Sequence, residues 1–162
     1  MGSGLLHDIL INWGSLFANH AAVRTLVTFV HIAGLLAGGG AAVTADRGLL
    51  AANHLDDQAR LQQLAAVHPA HRLIVASLVC IVLSGLLLFA SDVDSFLYSK
   101  VFWTKMCLLT LLLANGALLV SAEGRAAHGA AASWRTLRLT AAASIALWFL
   151  VTLAGVALLN AG

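Results

Sequence analysis

One histidine stands inside an apolar stretch of the sequence, and its side chain is the clearest candidate for chemistry. His31 lies in the segment 25–45, which contains no Asp, Glu, Lys or Arg. An imidazole in such surroundings binds a metal or a tetrapyrrole, relays a proton, or forms a hydrogen bond with a neighbouring helix. For a hydrogen bond of this kind the sequence offers Ser84, Thr110 and Asn115. All three interpretations of His31 stay open at the level of the sequence.

Lys105 is the second candidate, because it lies about one turn inside a later apolar segment. Its ammonium group can extend to the membrane surface along the alkyl stem. With Arg24, which is expected at the same membrane face, it can instead bind an anionic group such as a haem propionate or a lipid phosphate. Phe102 and Trp103 beside it suit the wall of a pocket. The predicted cofactor-binding residues are therefore His31, Lys105 and Arg24.

Three further histidines suggest a transition-metal site at the opposite membrane face. His68 and His71 are three residues apart around Pro69, so they can face the same way, and His54 lies nearby in the sequence. Imidazoles are common ligands of transition metals, although a strong metal signature has more ligands at fixed intervals; His31, His68 and His71 are the predicted metal-binding residues. At 1.5 Å per residue, His71 would lie roughly 12–15 Å deeper than His31, which argues against one haem shared by the two.

The composition identifies the elements that must position these residues. Hydrophobic residues make up 60% of the chain and charged residues 10%, whereas a soluble domain carries roughly 25% charged residues. Four segments contain no charged residue, and each approaches the roughly 20 residues that cross a bilayer as a helix. We predict an all-α integral membrane four-helix bundle, up-down-up-down, in a single transmembrane domain 1–162. Its spans are predicted at about 21–45, 70–91, 101–122 and 136–159.

The boundaries of the spans follow from polar residues and from proline. Residues 1–20 place bulky apolar side chains at helical spacing and predict a short interfacial helix. The first span is expected to end at Asp46–Arg47. A short surface helix is expected from Asn53, with Pro69 breaking it and opening the second span.

Small and hydroxylic residues give each span a face that permits close helix packing. Examples are Gly34 and Gly38 on the first span and Ser77 and Ser84 on the second. Cys80 and Cys107 are expected near the depth of His31, either as core residues or as further ligands.

The distribution of Lys and Arg predicts the orientation. Antiparallel spans put three of these residues on the side of both termini and six on the other. The three are Arg24, Lys100 and Lys105; the six are Arg47, Arg60, Arg72, Arg125, Arg135 and Arg138. The excess favours both termini in the periplasm and the six arginines in the cytoplasm. The net charge of +2 reflects arginines at helix ends and implies no nucleic-acid partner.

Three segments resemble a group of small four-span bacterial membrane proteins without an established activity. They read HIAGLLAGGGAAVTADRGLL in the first span, LSGLLLF in the second and SKVFWTKMCLLTLLLANGALL in the third. More distantly, the chain is similar to copper-resistance D-type membrane domains and to haem-dependent four-helix protoporphyrinogen oxidases. The second resemblance implies functional roles for His31 and Lys105, although the His-rich, Arg-flanked first span of those oxidases is not reproduced.

These observations lead to one expected function and two alternatives. The expected function is a multi-pass protein of the bacterial inner membrane that binds b-type haem or a related redox cofactor near His31 for electron transfer. The alternatives are a structural or accessory subunit of a larger membrane complex and a carrier of copper or another ion. Membrane lipids, other membrane subunits and a second copy of the chain are the expected partners.

Overall fold

The protein folds entirely as helices over the part of the chain that the computed structural model describes, residues 2–52, 55–127 and 131–160. No strand occurs in these ranges, which confirms the all-α prediction. The helices are α1 (Gly2–Asn19), α2 (Ala21–Ala51), α3 (Asp57–Ser91), α4 (Val93–Tyr98), α5 (Lys100–Ala127) and α6 (Ala131–Leu159).

The four long helices form an antiparallel bundle in the ring order α2, α3, α5, α6. α2 packs along α3 and α6, α5 packs along α6, and α3 meets α5 at only a few points. All four helices are long and apolar enough to cross a membrane. Large apolar side chains such as Leu26, Phe29, Leu83 and Leu153 point outward, as a hydrocarbon solvent requires. The protein is therefore a four-span membrane protein, as its composition predicts.

The two ends of the bundle differ in what covers them. At one end, here named the α1 end, α1 and α4 lie beside the C-terminus of α3. The Trp13 indole donates a hydrogen bond of 2.8 Å to the carbonyl of Leu87 and holds α1 against α3. This contact agrees with a short helix lying across the end of the bundle. The other end, here named the arginine-rich end, contains the link between α2 and α3 and the link between α5 and α6.

Side-chain caps explain where α3, α4 and α5 begin. The Asp56 carboxylate accepts a hydrogen bond of 2.8 Å from the amide of Ala59 and starts α3. The Asp92 carboxylate does the same for α4. The Ser99 hydroxyl accepts from the amide of Phe102 at the start of α5. Each cap satisfies an amide that has no partner within its own helix.

Two predicted boundaries were wrong, and tertiary packing explains both. α2 does not end at Asp46–Arg47 but continues to Ala51. Pro69 does not separate a surface helix from the second span, because α3 runs through it without a break. Proline removes one helical hydrogen bond. Val67, just before Pro69, is nevertheless buried against Leu49 of α2, so packing holds the helix on that side of the proline.

Glycines of α2 bring its backbone close to α3. A β-carbon at Gly34 would lie 2.9 Å from Cγ1 of Ile81, and one at Gly38 would lie 2.8 Å from Cβ of Ser77. A β-carbon at Gly38 would also lie 3.2 Å from the Trp148 ring of α6. Only glycine leaves room for these approaches, and van der Waals contact between close helices is a main source of stability within a membrane.

We expect Gly38→Val to destabilise the bundle by about 1–3 kcal/mol, because its side chain would overlap Ser77 and Trp148. The measurement is the unfolding free energy in mixed micelles. Gly40→Val is the matched control, since a β-carbon at Gly40 meets nothing within 4 Å. Equal stability of the two variants would contradict the close packing of α2 on α3.

Candidate functional site

His31 is buried between α2 and α3, where Ser84 determines the position of its proton. Nδ1 of His31 lies 3.0 Å from the Ser84 hydroxyl oxygen. That hydroxyl has one hydrogen, which it donates to the carbonyl of Cys80 at 2.6 Å. With that hydrogen on the Cys80 carbonyl, we assign Nδ1 of His31 as the donor, which leaves the lone pair of the neutral ring on Nε2. Nε2 is buried and has no hydrogen-bond partner among the described residues.

Of the three partners that the sequence offers His31, the structure selects Ser84. Thr110 bonds to the carbonyl of Met106 in its own helix. Asn115 donates to the carbonyl of Thr140 and links α5 to α6. His31 has a relative exposure of 9%, and it lies ten residues from the start of α2 and twenty from its end. Because α2 is longer than predicted, His31 lies about one third of the way along the helix from the α1 end and not at its middle.

Lys105 points into the bundle. Its Nζ lies against Gly155 of α6, where a β-carbon would be 3.5 Å away. Its charge also acts electrostatically on His31, although α2 and α5 stand diagonally across the ring. No hydrogen bond or ion pair of Lys105 occurs among the described residues. His31, Ser84 and Lys105 together form the His31 site.

The remaining candidates for this site lie elsewhere. Arg24 is exposed and donates to the carbonyl of Ala18, at the junction of α1 and α2. It lies two turns from His31 toward the α1 end and does not contact the ring. Cys80 and Cys107 are both exposed, so their side chains face the surrounding lipid and cannot bind a group at His31.

The structure brings a second group of polar residues together near the arginine-rich end. Asp46 has a relative exposure of only 2%, and its Oδ2 has no hydrogen-bond partner among the residues that the structure describes. The Ser144 hydroxyl of α6 lies within hydrogen-bonding reach of the same carboxyl group. Nε2 of His71 lies 3.4 Å from Oε2 of Glu123, which ties α3 to α5. These four residues, with His68 beside them, form the carboxylate cluster.

The sequence contains a pattern that predicts a buried carboxylate in this cluster. The predicted end of the first span at Asp46–Arg47 placed Asp46 outside that pattern. The buried residues of α2 follow one another at intervals of three or four, and the stripe continues through Ala42 to Asp46 and Leu49. Asp46 therefore lies on the same helix face as His31, whereas Arg47 points outward. Extending the helical period past the first charged residue would have predicted a buried carboxylate.

The predicted metal site finds no support in the described residues. No three His, Cys, Asp or Glu side chains come together there as a metal ion would require. His71 pairs with Glu123, and His68 is exposed. His31 belongs to the other end of the bundle, since its partner Ser84 lies thirteen residues, about 20 Å, along α3 from His71. His54 lies outside the described residues.

An apolar layer separates the two polar sites. It consists of Ala42, Ile81, Leu112, Trp148 and Val151, which pack as one cluster from all four long helices. Along α2, His31 and Asp46 are fifteen residues apart, or about 22 Å. Within a hydrocarbon core of about 30 Å, each site therefore lies toward its own membrane face.

Aromatic side chains bridge α3 and α5 at the α1 end, where these helices otherwise make few contacts. The rings of Phe89 and Phe102 stack at 5.4 Å between centroids, and Phe96 of α4 packs against both. At the other end the His71–Glu123 pair has the same bridging role. The interface between α3 and α5, on whose inner side the His31 site lies, is thus bridged by side chains at both ends of the bundle.

Comparisons with protein-family models, with curated proteins and with solved structures give no match for this chain. The class of the protein, a four-span helical membrane bundle with buried polar residues near both faces, therefore follows from its own geometry.

We expect Ser84→Ala to destabilise the bundle by roughly 0.5–2 kcal/mol, because Nδ1–H of His31 loses its acceptor in an apolar environment. Nitrogen NMR of labelled protein should show His31 protonated at Nδ1 in the wild type and a changed signal in the variant. Ser121→Ala is the control, since that exposed hydroxyl bonds only within its own helix. A wild-type His31 protonated at Nε2 would show that the assigned donor is wrong.

Proposed function

We propose that this protein binds b-type haem or a related redox cofactor at the His31 site and serves electron transfer in the bacterial inner membrane. The observation that supports the proposal is the buried Nε2 of His31, which has no hydrogen-bond partner in the described part of the chain while Nδ1 is held by Ser84. A ligating histidine needs such an arrangement: a free lone pair on one nitrogen and a hydrogen bond that orients the ring from the other.

The residues at the site suit one axial ligand and one anionic substituent. A haem supplies a one-electron redox couple when bound. Lys105 would hold its propionate, because its ammonium group is directed inward and lacks a counter-ion among the described residues. Gly85 lies close to the imidazole, since a β-carbon there would be 3.4 Å from Cε1 of His31. A second histidine ligand is not part of the proposal.

Of the two cationic residues predicted at the cofactor site, Lys105 lies nearer to His31. Arg24 lies on the same side of α2 as His31 but about 10 Å farther toward the α1 end, where it bonds to Ala18. In the proposal Arg24 stabilises the junction of α1 and α2, and Lys105 alone provides the positive charge that binds the propionate.

The first test is the absorbance spectrum and metal content of the purified protein, before and after addition of haem. We expect a Soret band at one haem per chain, lost in His31→Ala because the axial ligand is removed. Lys105→Met should weaken haem binding by about ten- to a hundredfold, since a hydrogen bond to a charged group contributes roughly 1.5–3 kcal/mol.

The chain offers a control for each variant. His20→Ala removes an exposed imidazole that bonds to the carbonyl of Leu16, and Lys100→Met removes an exposed ammonium group. Both variants should keep the spectrum and the affinity of the wild type. A protein that shows no Soret band, takes up no haem and contains no stoichiometric metal would refute the proposal.

A second candidate function is an accessory subunit of a larger membrane complex. A groove of about 380 Å³ between α2 and α3 favours it, because small residues allow another helix to approach closely. The groove is lined by Ala37, Gly40, Ala41, Ala66 and Ala70, among others. The accessory role predicts a particle larger than one chain in mild detergent, together with a spectrum that lacks the Soret band.

The proposed orientation places both termini in the periplasm and the arginine-rich end in the cytoplasm, following the excess of arginine at that end. Alkaline phosphatase fused after Asn160 should therefore be active in a bacterial host, whereas a fusion after Ala127 should be inactive. Green fluorescent protein at the same two positions should give the opposite pattern. The reverse result in both assays would invert the topology.

A further inference from the structure

We propose that the carboxylate cluster is a proton-binding site that exchanges protons with the arginine-rich side of the membrane. The site does not depend on a cofactor at His31. Its members become steadily less exposed along one line: His68 is exposed, the His71 side chain is 23% exposed, that of Glu123 15%, and Asp46 only 2%. Such a gradient leads from the membrane surface to a buried carboxyl group.

The charges of the buried groups leave a place for one proton. If His71 is protonated against Glu123, the two carboxylates and the imidazolium still carry one surplus negative charge. Asp46 interacts electrostatically with both of these groups, and α6 offers it only the Ser144 hydroxyl. A buried charge without a counter-ion is costly, and neutralisation by a proton removes that cost.

Two carboxylate oxygens can receive that proton. Oδ2 of Asp46 and Oε1 of Glu123 are both buried, and neither has a hydrogen-bond partner within residues 2–52, 55–127 and 131–160. A metal ion needs more ligands than the cluster supplies, because no group of three or more suitable side chains exists among the described residues. A proton needs only one oxygen to bind and a neighbouring acceptor to share it.

The cluster opens toward only one side of the membrane. His68 stands edge-on to His71, with 6.4 Å between the ring centroids, and it acts electrostatically on Glu123. The exposed side chains of Arg72 and Arg125 follow His71 and Glu123 at the same level, which marks the membrane surface. Toward the α1 end, the apolar layer with Ile81 and Trp148 blocks the way.

The transfer is a sequence of proton steps without any change in oxidation state. His68 takes up a proton from the aqueous side, and the imidazolium of His71 gives its own proton to Glu123, which shares it with Asp46. The proton on His68 then passes to the neutral His71, and His68 returns to neutral. One proton is taken up from the arginine-rich side, and the net charge of the cluster changes from −1 to 0.

Infrared difference spectroscopy of the full-length protein after a pH step tests the proposal. The wild type should show the C=O band of one protonated carboxyl group per chain, which shifts in D₂O and disappears at alkaline pH. Asp46→Asn or Glu123→Gln should remove the band, because the amide keeps the shape but cannot release a proton. Asp94→Asn, at an exposed position in α4, is the control and should leave the band unchanged.

The kinetics of the same signal test the entry route. His68→Gln should slow the appearance of the band after the pH step but preserve its final amplitude. A rate equal to that of the wild type would overturn the role of His68.

Several outcomes would overturn the proton site itself. They are a wild type without the band, a band that survives both carboxyl substitutions, and a band abolished at constant pH by exchange of choline for sodium. The last would identify a sodium site instead. The wild-type measurement shows whether the carboxylate cluster binds a proton even if a variant does not fold. Its result is independent of whether haem binds at His31.

Discussion

The close contact between α2 and α3 determines where the other buried groups of the bundle lie. Gly34 and Gly38 let the two helices approach until side-chain atoms of Ser77 and Ile81 touch the α2 backbone. This register brings His31 opposite Ser84 and places Asp46 within electrostatic range of His71. A bulkier residue in the glycine stripe would separate the helices, and both polar sites would lose partners.

Polar groups inside a membrane must find partners within the protein, and the bundle meets this requirement to different degrees. Helix hydrogen bonds satisfy most backbone groups, and serine and threonine hydroxyls donate to carbonyls one turn earlier. Over the ranges that the structure describes, three buried side-chain atoms have no hydrogen-bond partner, on His31, Asp46 and Glu123. They belong to the two polar sites, and an apolar layer keeps those sites apart. Unsatisfied buried atoms are costly, and their concentration here is why both proposals centre on them.

Some features of the candidate sites can be predicted from residue type, whereas others depend on how the helices pack. His31 stood out because an ionisable residue interrupts a long apolar segment, and Ser84 was among its predicted partners. Asp46 and Glu123 did not stand out, because a carboxylate beside arginine at the end of an apolar segment is usually a surface residue. The predicted helix break at Pro69 is wrong for a similar reason, because a proline before an apolar run is typical of a helix start. Packing of the preceding turn against α2 keeps the helix intact instead.

The sequence by itself determined the class of the protein, because hydropathy and the spacing of charges depend only on the order of residues and require four helices in a bilayer. It also identified His31 and Lys105 as the ionisable interruptions of that pattern. The tertiary structure alone decided which side chains meet. It directed Lys105 inward, turned Cys80 and Cys107 outward, and gathered Asp46, His71 and Glu123 from three helices. The physical reason is that contacts between helices depend on rotation and register, which close packing at small residues sets and local sequence does not encode.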